Sequence, residues 1–132
     1  MSSEPWTVLR LIRWSADYLK GKGVEQARLD TEHLLAHSLG STRLDLYLQY
    51  DRPLDAGELA RFKALLLRRA AREPLQHVIG QVSFREVELR CDRRALVPRP
   101  ETEVLVGVVL DAVDARDPAL GPVRSALDVG TG

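Results

Sequence analysis

Two short stretches hold the residues best suited to chemistry. The first is Leu96-Val97-Pro98-Arg99-Pro100-Glu101-Thr102-Glu103. A proline drives its predecessor out of the helical region, so Val97 and Arg99 are expected to be extended. Pro98 and Pro100 have fixed φ and donate no backbone hydrogen bond. The stretch is therefore expected to be a stiff rod that restricts where the Arg99 guanidinium points. A linker that only fixes how two domains meet would look the same. The second stretch is Asp128-Val129-Gly130-Thr131-Gly132. An apolar strand running into Asp-x-Gly-x-Gly is how a doubly wound domain opens its first ligand-binding turn. Glycines there let the backbone approach a bound nucleotide or nucleoside. Gly-Thr-Gly also occurs in ordinary turns, so the pattern alone does not decide.

Other reactive residues point less far. His33 and His37 stand four apart, a spacing that can hold a metal. The surrounding residues do not read His-Glu-x-x-His and offer no third ligand, so helix-surface histidines are expected and no metal. Arg68, Arg69 and Arg72 cluster near a helix C-terminus, where the helix dipole favours cations. Their functional alternative is contact with an acidic partner or with ribosomal RNA. Cys91 has no base indicated beside it and is expected to be a strand residue.

The elements that would position these groups fall into two regimes. Thr7 to Lys20 places Val8, Leu11, Ile12, Ser15 and Leu19 on one helical face, with Trp14 and Tyr18 beside it. A second helix is expected from about Gln26 to Ser38, with Leu29, Leu34 and Leu35 apolar and Gly40 as its stop. A short third covers Thr42 to Gln49, with Leu44, Leu46, Tyr47 and Leu48 packed or half-packed. Asp55 and Glu58 fit a capping box that opens a fourth helix to about Arg72, carrying Leu59, Phe62, Leu65 and Leu66. Pro74 stops it. Four amphipathic helices on short loops predict a small bundle. After Pro74 the period changes. Residues 82–84 and 87–91 alternate as strands do, with Arg85-Glu86 as a turn that lacks the usual glycine. Past the prolines, Val104, Leu105, Val108, Val109 and Ala112 repeat at helical spacing to about Ala115. Residues 125–129 are expected as a strand.

Composition excludes several classes. The chain has 132 residues, room for one domain or for a small domain and part of another. Nineteen basic and nineteen acidic residues cancel. Residues up to Gly80 hold 12 and 10 of them and the remainder 7 and 9, so neither part has the field that duplex DNA would require. Aromatics are 5%, too few for large base-stacking surfaces. One cysteine excludes an internal disulfide and fits a reducing cytoplasm. The N-terminus lacks a basic region followed by an apolar one, so no secretory signal is expected, and no apolar run approaches the ~18 residues of a membrane span.

In order and spacing, Glu73-Pro74-Leu75-Gln76-His77-Val78-Ile79-Gly80, Phe84, the proline rod and Leu127-Asp128-Val129-Gly130-Thr131-Gly132 resemble the release factor glutamine methyltransferases, the PrmC/HemK family. Arg28-Leu29-Asp30 and Leu44-Asp45-Leu46-Tyr47 are similar to that family's helical region. The resemblance covers the whole chain. It implies an α-helical bundle as N-terminal domain, a β-hairpin linker, and the truncated start of a Rossmann-like α/β methyltransferase domain. The boundaries would be 1–74 for the release-factor-recognising bundle, 75–97 for the linker and 98–132 for the start of the cofactor domain. The implied activity is N5-methylation of the glutamine in the Gly-Gly-Gln tip of class 1 peptide chain release factors, in the cytoplasm, by a monomer using S-adenosylmethionine. Gly130, Thr131 and Gly132 would line the cofactor's amino-acid end, with Asp128 bracing the turn. Phe84, Arg99, Glu101 and Thr102 are further candidates for the cofactor pocket. Phe84 could equally be a core aromatic, and Arg99 a partner of Glu101 or Glu103.

An amide nitrogen is a poor nucleophile because its lone pair is delocalised, so a site that alkylates it must work mainly by positioning. The family uses an Asn-Pro-Pro-Tyr motif for this, and the 132 residues contain no asparagine. A methyltransferase by descent is therefore expected, with no catalytic residue inside this stretch. The alternative is a non-catalytic helical module that binds release factors. A nucleic-acid adenine methyltransferase shares the motif chemistry but not the bundle and proline rod.

Overall fold

The computed structural model describes residues 4–130. They form two compact units, one ending at Gly80 and the other beginning at Gln81.

The first unit is helical. α1 (Val8–Gly21) begins where the Thr7 hydroxyl accepts the Arg10 N–H at 3.3 Å. Its five expected inward positions, Val8, Leu11, Ile12, Ser15 and Leu19, are all buried. α2 (Ala27–Leu39) ends at Gly40, whose φ of +65° is the left-handed conformation that suits glycine. α2 contacts α1 and three later helices, so its buried positions spread around the cylinder. Leu34 and Leu35 are fully buried and Leu29 only half so, while Asp30, Thr31 and Glu32 are buried with them. Each of these three buried polar residues of α2 has a partner, as a low-dielectric interior demands. The Thr31 hydroxyl donates to Ala27 O at 2.8 Å. Asp30 accepts from Arg69, and Glu32 accepts from Arg43 and from the Tyr47 hydroxyl.

α3 (Arg43–Leu48) opens on a reciprocal capping box between Thr42 and Asp45. Bonds from the Thr42 backbone and hydroxyl hold the Asp45 carboxyl below its ordinary pKa. Of the four apolar residues expected to pack here, only Leu46 is buried; Leu44 and Leu48 are 67% and 76% exposed, and Tyr47 is exposed too. Six residues make fewer than two turns, which present a single position to the core. α4 (Ala56–Ala70) has the expected capping box of Asp55 and Glu58 and buries Phe62 and Leu66. α4 ends before Pro74 as expected, and α5 (Leu75–Ile79), a short helix that the sequence pattern did not assign, buries Val78 and packs on α2 and α4. Before α1, Trp6 O accepts the Leu54 N–H at 2.8 Å and Val8 N–H donates to Arg52 O at 3.0 Å, which ties the entering chain to the loop ahead of α4.

The second unit begins with an antiparallel hairpin, β1 (Gln81–Phe84) and β2 (Val87–Arg90), in the register Val82 opposite Leu89 and Phe84 opposite Val87. Val82 and Phe84 are half-buried while β2 is exposed throughout. The expected turn at Arg85-Glu86 is present, with Arg85 at φ +52°. That conformation costs a non-glycine residue roughly 1 kcal/mol. α6 (Pro100–Asp114) starts as predicted, with Arg99 extended at φ −95°, ψ 149° and Pro100 in the first turn. A 3-10 turn spans Pro118–Leu120. Residues 125–129, expected as a strand, form no ladder: no strand among the described residues pairs with them. Their backbone and side chains are exposed. The start of a Rossmann-like sheet is thus not formed within the described residues. Among those residues no helix is long and apolar enough to cross a membrane.

Candidate functional site

The candidate cofactor residues all belong to the second unit. Arg99 is the residue before α6 and is exposed; among the described residues it makes no ion pair with Glu101 or Glu103. Glu101 and Thr102 follow in the first turn, also exposed, and the Thr102 N–H donates to Arg99 O at 3.0 Å. Phe84 ends β1, half-buried. Gly130 has φ +82°, and nothing lies within 4 Å of the place a Cβ would take. A left-handed glycine with open space above it suits a turn that a ligand approaches closely. Thr131 and Gly132 lie outside the described residues. A cleft of about 410 Å³ is lined by Leu89, Arg90, Cys91, Asp92, Leu96 and Pro98 among others, and by none of the candidate residues.

What the sequence did not reveal is how the hairpin tip meets α6. Arg85 Nη1 donates to Glu103 O at 3.2 Å, and a Cβ at Gly107 would lie 2.9 Å from the same nitrogen. Gly107 therefore leaves room for a guanidinium that tethers the turn to the helix following the proline rod. α6 itself is apolar and uncovered. Val104, Leu105, Val108, Val109, Leu110 and Val113 are 42–67% exposed, and no residue of the helix is buried. A solvent-facing stripe of this kind marks a surface made to be covered.

In the first unit the three clustered arginines bond to neighbouring groups of the bundle. Arg68 grips Glu73 through Nε and Nη2, at 2.8 and 2.6 Å. Arg69 Nε donates to Asp30 at 2.9 Å. Arg72, at φ +75°, donates to the Gly23 carbonyl at 3.0 Å and that of Lys22 at 3.3 Å. All three bond to groups of the bundle itself, and Arg68 and Arg72 stay exposed while doing so. A cleft of about 640 Å³ opens between α2, α4 and α5, lined by Gln26, Asp30, His33, Arg69, Arg72 and Gln76 with apolar neighbours. Burial, and then the charge of Arg43, hold His33 below the ordinary histidine pKa. His37 is exposed. Cys91 is buried just past β2; desolvation, and then Asp92, push its thiol pKa up, away from nucleophilic use at neutral pH.

The family model of the PrmC N-terminal domain matches residues 10–80. The chain belongs to the PrmC N-terminal domain family. That match ends where the first compact unit ends. Relatives extend the PrmC likeness through the second unit. The release factor glutamine methyltransferase of Geobacter sulfurreducens is 42% identical over 129 residues, 98% of this chain and 43% of that protein. That of Rhodopirellula baltica is 40% identical over 128 residues, 97% and 43% of the two chains. That of Burkholderia pseudomallei is 45% identical over 105 residues, 79% and 35%. The chain thus spans less than half the length of these curated relatives.

Proposed function

We propose that these residues are the docking and entry portion of a peptide chain release factor N5-glutamine methyltransferase that uses S-adenosylmethionine in the cytoplasm. The observation that carries this is the run of similarity to proteins of that name over 98% of the chain, through bundle, hairpin and proline rod in one order. The bundle, 1–74 by the sequence boundaries, recognises a class 1 release factor. Residues 75–97 link it to 98–132, the start of the cofactor domain. The uncovered apolar stripe of α6 supports that last assignment, since crossover helices of a doubly wound sheet present such a stripe to the strands.

Gly130, Thr131 and Gly132 would hold the amino-acid end of S-adenosylmethionine, with Phe84, Arg99, Glu101 and Thr102 as further lining. The left-handed conformation of Gly130 fits close backbone approach. The cofactor supplies an electrophilic methyl group on sulfonium. This chain's contribution is to bind and orient: the rod fixes Arg99, and the turn admits the ligand. Orientation of the amide nitrogen is the work of an Asn-Pro-Pro-Tyr motif, which the 132 residues do not contain.

Incubation of the purified chain with a class 1 release factor and methyl-labelled cofactor tests both halves. Binding without label transfer is expected. Label on the Gly-Gly-Gln glutamine would refute the absence of catalysis, and no binding at high micromolar concentration would refute docking.

A further inference from the structure

We propose that the outer face of α1 is an anchoring surface for an acidic, apolar-bearing segment of a partner protein. The face is built on an aromatic ladder. Trp14 and Tyr18 stack with centroids 5.4 Å apart and planes 9° apart, and Trp6 meets Trp14 edge-on at 6.1 Å. Trp6 and Tyr18 also pack on the core, whereas Trp14 is 52% exposed and stands outside it. The backbone bond from Leu54 to Trp6 O fixes the ladder before any partner arrives, which limits the entropy lost on binding. A half-exposed, preordered tryptophan whose neighbouring rings carry cations has the composition of an interface hot spot.

The charge around the ladder chooses the partner. Arg10 lies 4.5 Å over the Trp6 ring and Lys22 5.5 Å over Tyr18, with Arg13 and Lys20 exposed on the same helix. From Glu4 to Lys22 there are four basic and two acidic residues; from Gly23 to Gly80 there are eight of each. The excess positive charge of the first unit therefore sits on this segment. Five of the seven arginines in the rest of the unit form ion pairs within it, Arg28 and Arg43 with Glu32, Arg52 with Glu58, Arg68 with Glu73 and Arg69 with Asp30, and Arg72 bonds to the Lys22 and Gly23 carbonyls. Among the described residues Arg10, Arg13, Lys20 and Lys22 enter no ion pair. Their charge is available to acidic groups while the indole of Trp14 meets an apolar side chain.

Single-stranded RNA also combines stacking with negative charge, but it needs free ring faces. Here the rings occupy one another's faces, and Arg10 and Lys22 lie over Trp6 and Tyr18. The exposed edges suit side chains better than bases. The assignment does not depend on which protein supplies the segment, so it stands apart from the release-factor reading.

The test is NMR titration of the whole chain, labelled at the indole nitrogens, with a short peptide of Glu and Leu, its Lys and Leu counterpart, and oligouridylate. The acidic peptide is expected to shift the Trp14 indole N–H and the α1 amides saturably. Trp14→Ala should weaken it by about tenfold or more, as loss of a hot-spot residue does. Arg13→Glu and Lys20→Glu should weaken it with an unchanged far-UV spectrum, which keeps the test valid if Trp14→Ala disturbs folding. No shift at millimolar acidic peptide, an equal response to the lysine peptide, or saturable binding of oligouridylate alone would overturn the proposal.

Discussion

Arg69 Nε donates to Asp30 Oδ2 at 2.9 Å, joining α4 to α2 across 39 residues of sequence. The side chains are 19% and 9% exposed, so the pair is shielded from solvent. Removing one partner leaves the other charge stranded. Arg69→Ala is expected to lower stability by about 2–3 kcal/mol, read by urea denaturation. Asp30→Leu combined with Arg69→Met should cost less than Arg69→Ala. Charge reversal at Arg68, Arg69 and Arg72 together should unfold the bundle, and an unfolding midpoint equal to that of the parent would contradict a structural role for their bonds.

His33 gives a pH dependence of defined sign. Burial first, and Arg43 second, lower its pKa below 6.5, against smaller opposing pulls from Asp30 and Glu32. The folded state thus prefers the neutral ring, and the unfolded chain takes up the proton first on acidification. This contribution to stability is complete above 6.5 and is lost as pH falls through the lower folded value. Thermal melts of His33→Gln should show a flatter decline in that window than the parent; parallel curves would count against it.

The tether between Arg85 and α6 is open to substitution at either end. Arg85→Ala removes the bond to Glu103 O and keeps the unfavourable φ. Arg85→Gly removes the same bond and relieves the φ. Both should speed amide exchange at the hairpin tip, and the alanine variant should be the less stable by about 1 kcal/mol. Gly107→Leu should mimic the loss of the tether by displacing the guanidinium. Unchanged exchange in all three would show that the contact contributes nothing.

Cys91 should behave as an occluded thiol. A disulfide reagent at pH 8 is expected to label it slowly in the native chain and at once in urea, because burial and Asp92 both suppress the thiolate. Rapid native labelling would contradict the buried position.

The sequence was most readable where one short-range rule governs. The face of α1 came out residue for residue, because 3.6-residue spacing is enforced by the core. The Asp55 capping box and the extended Arg99 ahead of Pro100 are equally local. α5 escaped because five residues are too few to show a period. Burial of Asp30 and Glu32 was illegible, since their partners Arg69, Arg43 and Tyr47 come from other helices. Leu44 and Leu48 misled in the opposite sense: apolar type was taken for burial. Pairing of residues 125–129 depends on strands that the described residues do not supply. Of the candidate site, the extended Arg99 ahead of Pro100 was legible, whereas which of Phe84, Arg99 and Gly130 would meet is a tertiary matter that no local pattern states.

Because α2 touches α1, α3, α4 and α5, no helix of the first unit can detach without disturbing one shared neighbour. Damage anywhere along that hub should surface as a single cooperative loss of the whole unit, with no stepwise fraying. A mutational scan would therefore find the most intolerant positions on α2, including the acidic ones at 30 and 32, which a hydropathy plot would pass over as ordinary surface.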